Sequence, residues 1–114
     1  MAKPWLRLTA EAVAEVPAQL GVFQLAEPQD GSEVIIRIGY AGGRDSFGMR
    51  SALGLALADA RATGEDRPVL FRYELTHAYL TRWEELLMVQ VARHGSLPTG
   101  NRDHPHAVGR LRLG

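Results

Sequence analysis

The sequence predicts an α/β (α+β) fold in which helices pack on a small, mainly antiparallel three-stranded sheet. Three observations carry this expectation. Residues 21–39 form two strand-like runs around a turn, and residues 68–75 alternate in side-chain character. Two long segments, ending near Ala62 and His94, repeat apolar residues at helical spacing. The chain of 114 residues fits a single domain, 1–114, with a core at about 16–101 and a C-terminal tail at 102–114.

In chain order, Pro4 to Leu8 alternates weakly, as a short edge strand would. Thr9 is placed to cap a short helix over Ala10 to Glu15, which Pro17 ends. Gly21-Val22-Phe23-Gln24-Leu25 opens a β-hairpin whose turn is expected at Pro28-Gln29-Asp30-Gly31. Its second strand, Glu33 to Gly39, is β-branched at most positions of Val34-Ile35-Ile36-Arg37-Ile38, as suits a largely covered strand. A glycine-rich loop, Tyr40 to Asp45, leads to a helix capped by Asp45 or Ser46. Phe47, Met49, Ala52, Leu53, Ala56, Leu57 and Ala60 would form its apolar stripe.

The segment Thr63 to Asp66 stops that helix. Pro68 to Leu75 follows as the third strand, with Val69, Phe71 and Tyr73 on one face and Leu70, Arg72 and Glu74 on the other. A second long helix then runs to Arg93 or His94, with Gly95 as its left-handed C-cap. Its buried stripe is expected at Trp83, Leu86, Leu87, Gln90 and Val91. Ser96 to Asn101 reads as a turn, and the tail carries a short final strand at Val108 to Leu113 or is loosely ordered.

Composition narrows the function. There are no cysteines, which excludes disulfides and thiolate metal sites. No run is long and apolar enough to span a membrane, and a signal-peptide core is missing at the N-terminus, so cytoplasmic residence is expected. Net charge is zero, unlike a protein that coats nucleic acid throughout; a local basic patch remains compatible. Lys3 is the one lysine, so positive charge is carried almost wholly by arginine, the side chain suited to bidentate phosphate contacts. No phosphate-binding loop, dinucleotide fingerprint or Ser-His-Asp order is present.

The layout Gly21-Val22-Phe23, short turn, Arg37-Ile38-Gly39 resembles the paired signature of the GIY-YIG nuclease superfamily. Phe23 and Arg37 stand where the two motifs have tyrosines. The resemblance extends to Arg50 early in the first long helix, Glu84 in the second, and Asn101 after a proline-containing turn. It spans about Val16 to Asn101. It implies a divalent-metal-dependent DNA endonuclease in which Glu84 holds Mg²⁺ or Mn²⁺ and Arg50 stabilises phosphate charge, with Arg44 as the rival arginine. Phe23, Arg37, Arg44 and Asn101 would contact substrate, and Tyr40 is the nearest hydroxyl able to replace the lost tyrosine.

Tyr40 would nonetheless face away from Gly39 if both lie in one strand. Phenylalanine accepts no proton, so the alternative is a catalytically degenerate domain that binds nucleic acid or protein without cleaving. A homodimer is the expected means for so small a domain to grip DNA.

Each candidate also has a structural reading. Glu84 completes a Thr81-Arg82-Trp83-Glu84 capping box, unless Thr76 caps the helix and places Glu84 in its interior. Glu85 is the second choice as ligand. Arg50 suits a surface ion pair, and Asn101 suits a turn. Asp103, His104 and His106 are spaced to bind a transition metal or to form a solvated tail.

Overall fold

The computed structural model describes residues 1–42, 48–63 and 68–102. Arg44, the Asp45 or Ser46 cap, Phe47, the Asp103-His104-Pro105-His106 segment and the Val108–Leu113 strand lie outside the described residues. The elements are β1 (Leu6–Arg7), α1 (Ala10–Ala14), β2 (Gly21–Gln29), β3 (Ser32–Ala41), α2 (Gly48–Ala62), β4 (Leu70–Leu75), α3 (Tyr79–His94) and α4 (Thr99–Arg102).

The sheet is antiparallel throughout and four-stranded, in the order β1-β4-β2-β3. Leu6 and Arg7 pair with Phe71 and Leu70, which turns the expected edge strand into the fourth member. The β2–β3 hairpin is longer than expected. Its turn is only Asp30-Gly31, both at positive φ (49° and 82°), and Pro28 pairs with Glu33 inside the strand. Proline is tolerated there because β4 pairs with β2 only as far as Ala26, so no neighbour on that side needs its missing N–H. Between Leu25 and Ala26 the β2–β3 register shifts at a bulge.

The alternation of β2 divides the interior into two layers. Phe23 and Leu25 point to one side and pack with Phe71 of β4, Val13 and Val16, and Met49, Leu53 and Ala56 of α2. Val22 points to the other side and packs with Ile38 of β3, Trp83, Leu86 and Leu87 of α3, and Leu97. The sheet therefore lies between α2 and α3. Val69 and Tyr73 join the α2 layer beside Phe71, as the alternation of the third strand predicts.

Helix ends follow local chemistry. The Thr9 hydroxyl accepts from the Ala12 amide at 3.1 Å, as an N-cap should. Gly95 closes α3 at φ 76°. Thr81 lies inside α3, so the capping box does not form; the Thr76 hydroxyl accepts from the Ala78 amide at 3.1 Å ahead of the helix. The buried stripe of α3 is Trp83, Leu86 and Leu87, whereas Val91 is 38% exposed within a last turn, 91–94, that is exposed throughout. Ser96 to Asn101, expected as a turn, ends in the short helix α4. Among the described residues no helix is long and apolar enough to cross a membrane.

Candidate functional site

The residues singled out in the sequence fall into both layers. Phe23 is buried in the α2 layer, and the Arg37 guanidinium lies 5.8 Å from its ring centre. The pairing of Phe23 with Gly39 explains the glycine. A Cβ on residue 39 would lie 2.3 Å from Phe23 Cζ, so the ring occupies the place of a side chain. Arg50 extends from the first turn of α2, and its Nε–H donates to the Val16 carbonyl at 2.7 Å. That bond ties α2 to the segment after α1.

Glu84 is half-buried on α3, across the sheet from Arg50. No hydrogen bond or ion pair to Glu84 occurs among the described residues. Its neighbour Glu85 instead accepts from Arg82 Nη1 at 3.2 Å, while Arg82 Nε donates to Glu74 at 3.0 Å. The Glu74 hydrogen bond is the main cause of an Arg82 pKa above the usual guanidinium value. This network fixes the first turns of α3 to β4.

Among the described residues no three His, Asp or Glu side chains gather to hold a metal ion. Glu84, the expected ligand for Mg²⁺ or Mn²⁺, and Arg50 lie on opposite sides of the sheet.

Asn101 is buried. Its Oδ1 accepts from the Ile38 amide at 2.7 Å, and its Nδ2 donates to the Ile38 carbonyl at 2.9 Å. The side chain thus does for one residue of β3 what a neighbouring strand would do. It thereby seals part of a sheet edge, while the Asn101 amide donates to the Pro98 carbonyl at 2.9 Å.

Tyr40 faces the α3 layer, opposite Gly39, as strand alternation requires. There the structure assembles an aromatic cluster. Tyr40, 39% exposed, stacks on Tyr79 with ring centres 5.6 Å apart and planes 25° apart. Trp83 meets Tyr40 edge-on at 5.2 Å and 72°. Tyr79 and Trp83 are one helical turn apart at the start of α3, which brings both rings to one side. Trp83 Nε1 is anchored on the Ile38 carbonyl at 2.8 Å. The Tyr79 ring fills the space of a missing side chain at Gly42, where a Cβ would lie 2.3 Å from Cζ. The cluster is therefore held from below, with Tyr40 its most exposed member.

The sequence singles out Tyr40 as a replacement hydroxyl, not as a stacking ring, and does not single out Tyr79. The available signal was the i, i+4 pair Tyr79 and Trp83 opening a helix, together with a glycine at position 42 for a ring to cover.

Comparison with known proteins adds a family. Residues 1–93 match the model of the family described as Domain of unknown function (DUF7508). The chain belongs to that family. No curated protein and no solved structure matches it. The DUF7508 match includes the whole sheet and the aromatic cluster, and it ends before α4 and Asn101.

Proposed function

We propose that this DUF7508 chain is a nucleic-acid-binding module that does not cleave, and that it binds by stacking exposed bases on Tyr40. The observation that carries this reading is the solvent-facing Tyr40–Tyr79 pair, backed by Trp83. A fixed, partly exposed aromatic surface suits unpaired bases, each of which offers a π-face, and such contacts are typically worth about 1–3 kcal/mol per base.

Zero net charge supports a stacking contact over a phosphate-dominated one. Arg82, the arginine one helical turn from Tyr79, is already engaged by Glu74 and Glu85. Cleavage in the manner of the GIY-YIG nucleases would need Arg50, Glu84 and a base at one phosphate. The separation of Arg50 from Glu84 by the sheet, and the burial of Phe23, favour binding without it.

The experiment pairs two assays on one preparation. Binding of a labelled single-stranded DNA is followed by anisotropy, and nicking of supercoiled plasmid is followed with Mg²⁺ or Mn²⁺. Binding without nicking supports the module. Metal-dependent nicking by the wild type that is lost in Glu84→Gln would establish the nuclease instead.

A further inference from the structure

We infer that the space between α2 and the sheet is a binding site for a small molecule with an apolar body and a single carboxylate, held by the Arg37 guanidinium. A cavity of about 410 Å³ lies there, within the usual range of small-molecule sites, about 300–1,000 Å³. Its apolar lining is Leu25 and Ile36 from the hairpin, Ala56 and Ala60 from α2, and Val69 just ahead of β4. Ala56 and Ala60 are one helical turn apart, and their short side chains leave room that larger residues would fill.

The bulge of the hairpin brings a charge to this apolar space. Leu25 pairs with Arg37 and Ala26 with Ile35, so Ile36 is the extra residue. In an unbroken strand Ile36 and Arg37 would face opposite sides of the sheet; here both line the cavity. Arg37 is half-buried, with its guanidinium 5.8 Å from the Phe23 ring centre. Its stem is packed against α4, where a Cβ on Gly100 would lie 3.1 Å from Arg37 Cβ. No hydrogen bond or ion pair reaches this guanidinium among the described residues. Its planar fork of donors is thus positioned without an acceptor, and such a fork matches the two oxygens of a carboxylate.

The neighbouring acids set the charge of the ligand. Glu27 and Asp59 also line the cavity, and among the described residues no second cation does. Glu27 already has an interaction within the chain, and Asp59 is exposed, where salt and water screen it. A dianion such as a phosphate monoester would meet both carboxylates with one guanidinium to hold it, so a single negative charge fits better. The site is on the α2 side of the sheet, whereas the Tyr40 ring is on the α3 side, and it does not depend on oligonucleotide binding.

The test titrates octanoate into the isotope-labelled full chain, followed by amide chemical shifts, beside octanol and octylammonium. Octanoate should saturate in the low millimolar range and shift the amides of Ile36, Ala56 and Ala60. Octanol and octylammonium should each bind at least about tenfold more weakly, because neither completes the pair with the guanidinium. Arg37→Met keeps an apolar stem and should lose about tenfold or more for octanoate while leaving octanol unchanged. Ala60→Leu fills the cavity with the guanidinium intact and should abolish octanoate binding.

A urea curve checks that each variant folds, and the three ligands give the same reading on the unaltered chain. Absence of saturable shifts with octanoate would overturn the inference. So would octanol or octylammonium binding as tightly as octanoate, which would show apolar filling or attraction to Glu27 and Asp59 without Arg37. Shifts centred on Tyr40 and Tyr79 instead would place the ligand on the other side of the sheet and overturn it as well.

Discussion

Asn101 and Ile38 exchange two hydrogen bonds, at 2.7 and 2.9 Å, so that one buried amide side chain stands in for a strand at the edge of the sheet. The Ile38 carbonyl has a second donor in Trp83, but its N–H has only Asn101. Asn101→Ala should therefore leave one buried backbone donor unpaired and cost about 2–3 kcal/mol. Urea denaturation reads the loss. A change below about 0.5 kcal/mol would mean that the bond is replaced by water and that the seal is incidental.

Gly39 and Phe23 form a matched pair across β2 and β3. Gly39→Ala puts a methyl group into the Phe23 ring and should cost about 1–3 kcal/mol as overpacking. In the double variant with Phe23→Leu the two costs should be markedly non-additive, because the smaller side chain vacates the same space. Simple addition of the two effects would show that the ring is not what restricts residue 39.

Phe23→Tyr restores the hydroxyl that the nuclease motif would carry at this position. Phe23 is 2% exposed, so the new group enters a packed apolar layer and should destabilise by about 1–3 kcal/mol. Plasmid nicking should remain absent with Mg²⁺ or Mn²⁺. Appearance of nicking in this variant would mean that the α2 side of the sheet is a dormant active site.

Arg50 should matter to stability and not to binding. Its Nε donates to the Val16 carbonyl, so Arg50→Ala should cost about 1–2 kcal/mol while oligonucleotide affinity stays within about twofold. An intact urea curve with a tenfold loss of affinity would return Arg50 to the role of phosphate contact.

Salt should have a small effect on oligonucleotide binding. Each phosphate neutralised on a single strand adds about −0.7 to the slope of log K against log salt. With net charge zero and Arg82 paired, a slope shallower than about −1.5 is expected. A steeper slope would assign the affinity to phosphate contacts.

Much of the fold is legible in the sequence because it is set locally. The hairpin, the helix periods, the Thr9 cap and the Gly95 cap each depend on residues within a few positions of one another. Pro28 misled because proline signals a turn unless its strand is unpaired on one side, and that depends on how far β4 extends. The candidate site was less legible. Residue order shows that Arg50 and Glu84 lie on successive long helices, but not that those helices cover opposite faces of the sheet. Asn101 reads as a turn residue because its partner Ile38 is distant in sequence. Tyr40 was correctly turned away from Gly39 by strand alternation alone, while the ring it meets, Tyr79, comes from a helix distant in sequence.

The most direct test of the binding account is the affinity of Tyr40→Ala for a labelled single-stranded oligonucleotide, measured beside wild type at one salt concentration. Tyr40 is exposed and its removal leaves Tyr79 and Trp83 in place, so the urea midpoint should move little. The account predicts a loss of about 5- to 100-fold in affinity, the value of one stacked base. Equal affinity of the two proteins, or no measurable binding by wild type, would contradict it.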